Sequence, residues 1–339
     1  MRGKNWVVVL LFLLTFSCGN KRTVHRGIYY WKSTFTVDDQ EMARIQKAGI
    51  NRLYLHLFDV RLMDKHPVPD AKIKFIDTLP DNMEIVPVIY ITNETLLQIT
   101  KAELSDLATN IVLLSKSLLK EKFVAIQEFQ LDCDWTKKSR ENYFELLRHL
   151  HRQLGKHITL SATIRLHQLK YPEQSGIPPV DRGMLMFYNM GKLADYKETN
   201  SIYKKEIAES YIENGLNYPL PLDAALGAFS WGVLFRLGRP VDLLNNITEE
   251  ELILDTFITS KGSHRFEVNN EHLLHGIFLQ KNDEIRIEEV SGKLLLTAAQ
   301  QLNSRWQNHN FNLTIYHWDE YLFKSTSENE LETVYSTFN

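Results

Sequence analysis

Cysteine is almost absent from this 339-residue chain, which holds only Cys18 and Cys133. That excludes a disulfide framework and leaves no cysteine pair for a metal ion, so stability must come from core packing. There is no run of Lys and Arg, and the formal net charge is −3, so nothing electrostatic favours a nucleic-acid partner. HExxH, Gly-x-Ser-x-Gly and a glycine-rich phosphate loop are all missing, which removes the usual zinc, serine-hydrolase and nucleotide signatures. No cofactor and no metal is expected. What is present, 44% hydrophobic and 24% charged residues, is ordinary globular composition, enough for one large domain or two small ones.

Long apolar runs are missing too, except at the N-terminus. There "MRGKN" is a short basic stretch and "WVVVLLFLLTF" an apolar one, too short for a comfortable membrane span. Residues 1–17 read as a secretory signal. The cysteine just beyond, Cys18, resembles the lipobox of bacterial lipoproteins, although the Leu usual three residues earlier is Thr15 here. The resemblance implies a lipidated Cys18, a polar tether over 18–25 and a membrane partner reached through the lipid. It also implies a cell-envelope location, at the periplasmic face or the surface of the outer membrane. The alternatives are an ordinary signal cut nearby or an uncleaved anchor.

From residue 26 onward, apolar strand-like runs alternate with amphipathic helical stretches. The strand candidates are 27–31, 52–58, 85–91, 124–134, 158–166, 183–190, 222–231 and 312–318. Between them, "TVDDQEMARIQKAG" offers Thr36 or Asp38 as a cap with Gly49 after the last turn, and "SRENYFELLRHLHRQLG" offers Ser139. Strands alternating with helices predict a parallel sheet. Eight such units predict an α/β fold, a closed (β/α)8 barrel over 26–339. An open doubly wound sheet would carry a glycine-rich first turn, and "KSTFTVDD" has no glycine. The gap of about 80 residues before the last strand exceeds any ordinary connection. It predicts an extended insertion at about 238–306, with "HGIFLQKNDEIRIEEVSGK" read as a hairpin turning at Lys281–Asp283 and carrying Arg286 and Glu288 as an exposed ladder.

Chemistry concentrates in "FQLDCDW" (129–135). Strand alternation gives Gln130, Asp132 and Asp134 one face and Phe129, Leu131 and Cys133 the other. The polar set is expected inside the barrel, at the C-terminal strand end where such barrels keep their reactive groups. Two close carboxylates raise one another's pKa, which suits a general acid. A helix cap or a hydrated polar plug is the structural alternative. Among six tryptophans, Trp31, Trp135, Trp231 and Trp318 fall at predicted strand ends, with Tyr90 and Tyr188 beside them. Flat amphipathic rings around a concave site suit sugar rings; packing beneath loops is the plainer reading. Arg165 is expected to hold Asp134 or a substrate carboxylate, or merely to balance the aspartates. Asp59 reads equally as a site residue or a loop cap, and Asp223 as lying at the wrong end of the barrel.

Together the barrel, the fourth-strand carboxylates, "MFYNM" and the last-strand tryptophan resemble the family 18 glycoside hydrolases, the chitinase-type barrels. They resemble more closely its bacterial relatives with a Gln-x-Asp-x-Asp fourth strand. The family pattern D-x-x-D-x-D-x-E fits in two frames. In one, Asp134 replaces the acidic Glu; in the other, Thr136 stands there and no acid remains. M-x-Y-D appears as Met186 to Asn189, so the resemblance implies that Tyr188 and Asn189 contact the sugar, the latter without a charge. Trp318 is implied as the floor of the sugar subsite.

The expectation is a carbohydrate-active lipoprotein acting on an oligosaccharide or polysaccharide. Asp134 would be the acid and Asp132 its partner, with Gln130, Tyr188, Asn189, Trp31, Trp231, Trp318, Tyr90 and Arg165 binding substrate. The alternative is a non-catalytic glycan-binding or envelope scaffold on a degenerate barrel. A third reading, suggested only by the expected location, is an enzyme acting on peptidoglycan.

Overall fold

The computed structural model describes residues 22–339; the expected signal and Cys18 lie outside the described residues. Eight parallel strands close into a barrel: β1 (Thr23–Tyr30), β2 (Arg52–Met63), β3 (Glu84–Ile91), β4 (Glu128–Asp132), β5 (Thr159–Arg165), β6 (Arg182–Phe187), β7 (Leu222–Gly227) and β8 (Asn310–Tyr316). Each strand pairs with the next, and β8 returns to β1. This is the (β/α)8 arrangement that the alternating pattern predicts.

Two connections depart from that pattern. After β2 the chain makes an antiparallel turn, His66–Asp70, against the strand's own end, and no helix separates β2 from β3. Before β4, residues 120–125 form a 3-10 turn and not strand, so β4 is shorter than the expected 124–134. Elsewhere the local signals act as read. Asp38 accepts from the amides of Gln40 and Glu41 at the start of helix Asp39–Lys47, satisfying donors the first turn leaves open. Ser139 stands at the N-cap of helix Arg140–Leu154, but its hydroxyl accepts from the Thr136 amide instead.

The barrel core is filled from both faces of the strands. Phe129, Leu131 and Cys133 are fully buried outside the lumen line, beneath the helices. Inside, the walls come close: a Cβ at Gly27 would stand 2.8 Å from Thr314 Oγ1 and 3.1 Å from the Tyr54 ring, so a larger residue there must displace the Thr314 side chain. The lower lumen is polar. Arg52 donates to Glu84 (2.6 Å) and Glu128 (3.0 Å), Arg182 to Asp223 (2.8 Å), and Ser161 to Glu128 (2.6 Å). Asp223 thus sits at the N-terminal end of the barrel, as its place at the start of β7 predicts.

The chain between β7 and β8 builds a second sheet. Its five antiparallel strands run in the order Arg239–Asn245, Ser230–Arg236, Glu284–Glu289, Arg265–Val268 and Ile258–Gly262. Ten buried apolar side chains, Phe266 and Ile285 among them, form its own core. The expected hairpin at Lys281–Asp283 does not form. Ile277–Leu279 pairs with His272–Leu274, while Glu284–Glu289 lies mid-sheet between two other strands. Arg286 and Glu288 are accordingly buried, not an exposed ladder. The sheet opens at Ser230, so Trp231 belongs to it rather than to β7.

Candidate functional site

At the C-terminal end of the barrel a cavity of about 280 Å³ is lined by side chains from most strands, among them Trp31, Tyr90, Asp132, Asp134, Arg165 and Tyr316. The ladder explains the meeting. Tyr90 is level with Asp132 across β3 and β4, and Arg165 with Met186 across β5 and β6. Residues at matched heights on an alternating face point to one space.

Asp132 ends β4, buried, and accepts from Thr163 Oγ1 at 2.6 Å. Burial pushes its pKa above the ordinary range; Asp134 adds to the rise and the Arg165 charge opposes it. Asp134 lies two residues past the strand, half exposed, and both of its oxygens accept from Arg165: one from Nε, the other from Nη2 at 3.3 Å. Of the roles open to Arg165, the structure displays the one that holds Asp134. Burial raises the Tyr90 phenol to about 12, with Asp134 and Asp132 adding to it.

The aromatic residues divide. Trp31 lies nearly parallel on the His56 ring, 4.5 Å between centroids. Tyr188 lies parallel to Tyr316 at 5.1 Å, and burial holds its phenol well above the ordinary value. Asn189 reaches the cavity from a left-handed backbone, φ 52°. Trp31, Asn189 and Tyr316 also line a neighbouring cleft of about 260 Å³, whose far side carries Phe229 and Trp231. That cleft in turn shares Asn245 and Asn246 with a third, of about 710 Å³, against the inserted sheet.

Two expected substrate-binding residues, Gln130 and Trp318, and the rim aromatic Trp135 stand elsewhere. Gln130 is 0% exposed, beneath the cavity, accepting from Tyr29 OH at 2.6 Å and donating to Ser161 at 3.2 Å. Trp318 is also 0% exposed, packed edge-on against Tyr30 with its N–H donated to Glu41. The last-strand ring at the cavity is Tyr316. Trp135 packs outside the barrel on Tyr143, donating to the Ser175 carbonyl. Thr136 caps a turn with Ser139 and does not line the cavity.

Sequence reading missed Arg61 and His56, and left Asp59 open between a site residue and a loop cap. Asp59 and Arg61 line the cavity, and Asp59 shares a proton contact with His56 Nε2 (2.8 Å) while accepting from Arg61 (2.7 Å). Burial alone would raise the Asp59 carboxyl, but these two bonds bring it below the ordinary range. Asp59 is therefore an ion-paired wall residue, not a loop cap. Among the described residues no cluster of three His, Cys, Asp or Glu side chains is arranged to hold a metal.

Most of the chain superposes on solved structures of bacterial enzymes. A chitinase from Chromobacterium violaceum ATCC 12472 matches with a TM-score of 0.55 at 12% identity, covering 93% of this chain and 99% of that one. The spore cortex-lytic enzyme SleL of Bacillus cereus gives 0.54 at 13% identity, covering 95% and 76%. A family 18 N-acetylglucosaminidase from Paenibacillus barengoltzii gives 0.52 at 11% identity, covering 93% and 100%. The fold is that of the chitinase-type barrels. Identity this low carries the architecture and not the chemistry. No protein-family model and no curated protein sequence matches the chain.

Proposed function

We propose that this barrel binds a glycan of amino sugars at its C-terminal mouth and does not hydrolyse it. The observation that carries this is the Arg165–Asp134 pair. A general acid must present an O–H to the leaving oxygen, and here both oxygens of the expected acid face guanidinium N–H groups. Around them, Trp31, Tyr188 and Tyr316 supply rings for the apolar faces of a sugar. Asp132, Asn189 and Arg61 supply partners for its hydroxyl and amide groups. The amino-sugar class follows the barrel's likeness to a chitinase and an N-acetylglucosaminidase.

One observation favours a second reading. Asp132 is buried and lines the cavity, and burial shifts its carboxyl upward, the direction a general acid needs. In that case Asp132, not Asp134, is the acid of a hydrolase. Calorimetry with N-acetylglucosamine hexamer, run beside a reducing-end assay, separates the two. Binding without product is expected, and Asp132→Asn and Asp134→Asn alter affinity alone. Product formed by the wild type and lost in Asp132→Asn would transfer the assignment to hydrolysis; no binding at all would end both readings.

We also propose that Cys18 carries a lipid that holds the barrel at the cell envelope. The support is the basic and apolar stretch before it. Cys18→Ala is expected to move the protein from the membrane to the soluble fraction; unchanged fractionation would overturn the anchor.

A further inference from the structure

Glu288 lies in the middle of the inserted sheet, 1% exposed, directly opposite Trp231 in the antiparallel ladder. Its carboxylate accepts four hydrogen bonds. Oε1 accepts from Arg286 Nε at 2.7 Å and stands 2.6 Å from Nη2 in the ion pair. Oε2 accepts from the Trp231 indole N–H at 2.8 Å, the Ser201 amide at 2.9 Å and the Ser201 hydroxyl. Arg286 then donates to the carbonyls of Asp195 (2.7 Å) and Leu193 (2.9 Å) and lies over the Phe235 ring.

A buried ion pair is weak evidence for stability, because desolvation consumes most of the attraction. Its geometric effect is different. One carboxylate joins the inserted sheet, the loop that follows Asn189, and the half-buried ring of Trp231. With every acceptor position occupied, Glu288 has none left for a ligand. Trp231, by contrast, faces the 260 Å³ cleft that begins at Trp31 and Tyr316. An indole free to rotate about its side-chain bonds loses rotamer freedom on binding, while one held by its N–H does not.

We propose that Glu288 is a positioning residue for glycan recognition. It fixes Trp231 as the wall of a second sugar subsite, so that the ligand is an oligosaccharide of at least two units running from the barrel mouth toward the insertion. This rests on the glycan-binding reading above and adds the residue that sets the second subsite.

The test uses Glu288→Gln, Trp231→Phe and the double variant of the full chain, with N-acetylglucosamine hexamer as the probe. The amide puts an N–H where Oε1 or Oε2 accepts, so either the arginine or the indole loses its partner. Each single change is expected to weaken binding about tenfold, and the double change no further, because both act through one ring. The indole N–H resonance of Trp231, measured without glycan, is expected to be protected from solvent exchange in the wild type and unprotected in Glu288→Gln. If Glu288→Gln does not fold, Arg286→Met with Glu288→Leu removes both charges together and reads the same quantities. A lower melting temperature with unchanged affinity, or losses that multiply in the double variant, would overturn the positioning role. A wild type that binds no glycan would fail the functional reading instead, while the indole resonance still decides whether Glu288 holds the ring.

Discussion

Trp31→Ala is expected to lower affinity for an amino-sugar oligosaccharide by at least about a hundredfold, the scale of a central aromatic anchor. Its ring borders both the barrel mouth and the adjoining cleft, so one substitution removes a stacking face from each. The ring is also held in place beforehand. It lies on His56, which is bonded to Asp59, which is paired with Arg61. Little ordering is left for the ligand to impose. Trp135 gives the contrasting control, because it packs on Tyr143 outside the barrel. Trp135→Phe should lower the melting temperature and leave affinity unchanged. Calorimetry and a thermal melt on the two variants check the pair, and a Trp31→Ala protein that binds like the wild type would remove the sugar site from this mouth.

The second large effect concerns pH. At the lower end of the lumen, three carboxylates (Glu84, Glu128, Asp223) meet two guanidinium groups (Arg52, Arg182). One negative charge is in excess, and burial makes it costly. Burial raises the Glu128 carboxyl from the ordinary 4.5 to about 7, the nearby Asp223 charge adding to the rise. A folded-state pKa above the unfolded one means that the native protein keeps a proton the unfolded chain releases. The contribution of Glu128 to stability is therefore highest below about pH 4.5, falls as pH rises through the window to about 7, and is lowest above it. The difference is roughly 3 kcal/mol for this group. Glu128→Gln abolishes it: the variant should be more stable than the wild type at pH 8, close to it at pH 4.5, and flatter between. Urea midpoints across that range check this, and identical slopes in the two proteins would contradict it.

The barrel was legible because each of its strands is an apolar run bounded by turn residues, and such runs survive any detail of packing. The inserted sheet was not. "ITSKG", "RFEV" and "HLL" are short and mixed in polarity, and a sheet that pairs residue 230 with 289 leaves no local trace of the partner. At the mouth, period-two alternation did place Asp132 and Asp134 on the cavity side. The same rule aligns Asn312, Thr314 and Tyr316 on β8, but the conspicuous Trp318 drew attention past the strand's end. His56 and Asp59 are three residues apart, which regular alternation assigns to opposite faces. A register shift between His56 and Phe58 brings them together, and a bulge of that kind has no signature in the residues themselves.

The inserted sheet keeps its ten-residue core to itself. A change of side chain inside it is felt within that sheet, while the closed barrel underneath keeps its packing. The far wall of the cleft behaves differently, because Phe229 and Trp231 pack against the barrel's own core. The interior of the inserted sheet is thus free to vary on its own, while the edge that meets the cleft is tied to the barrel.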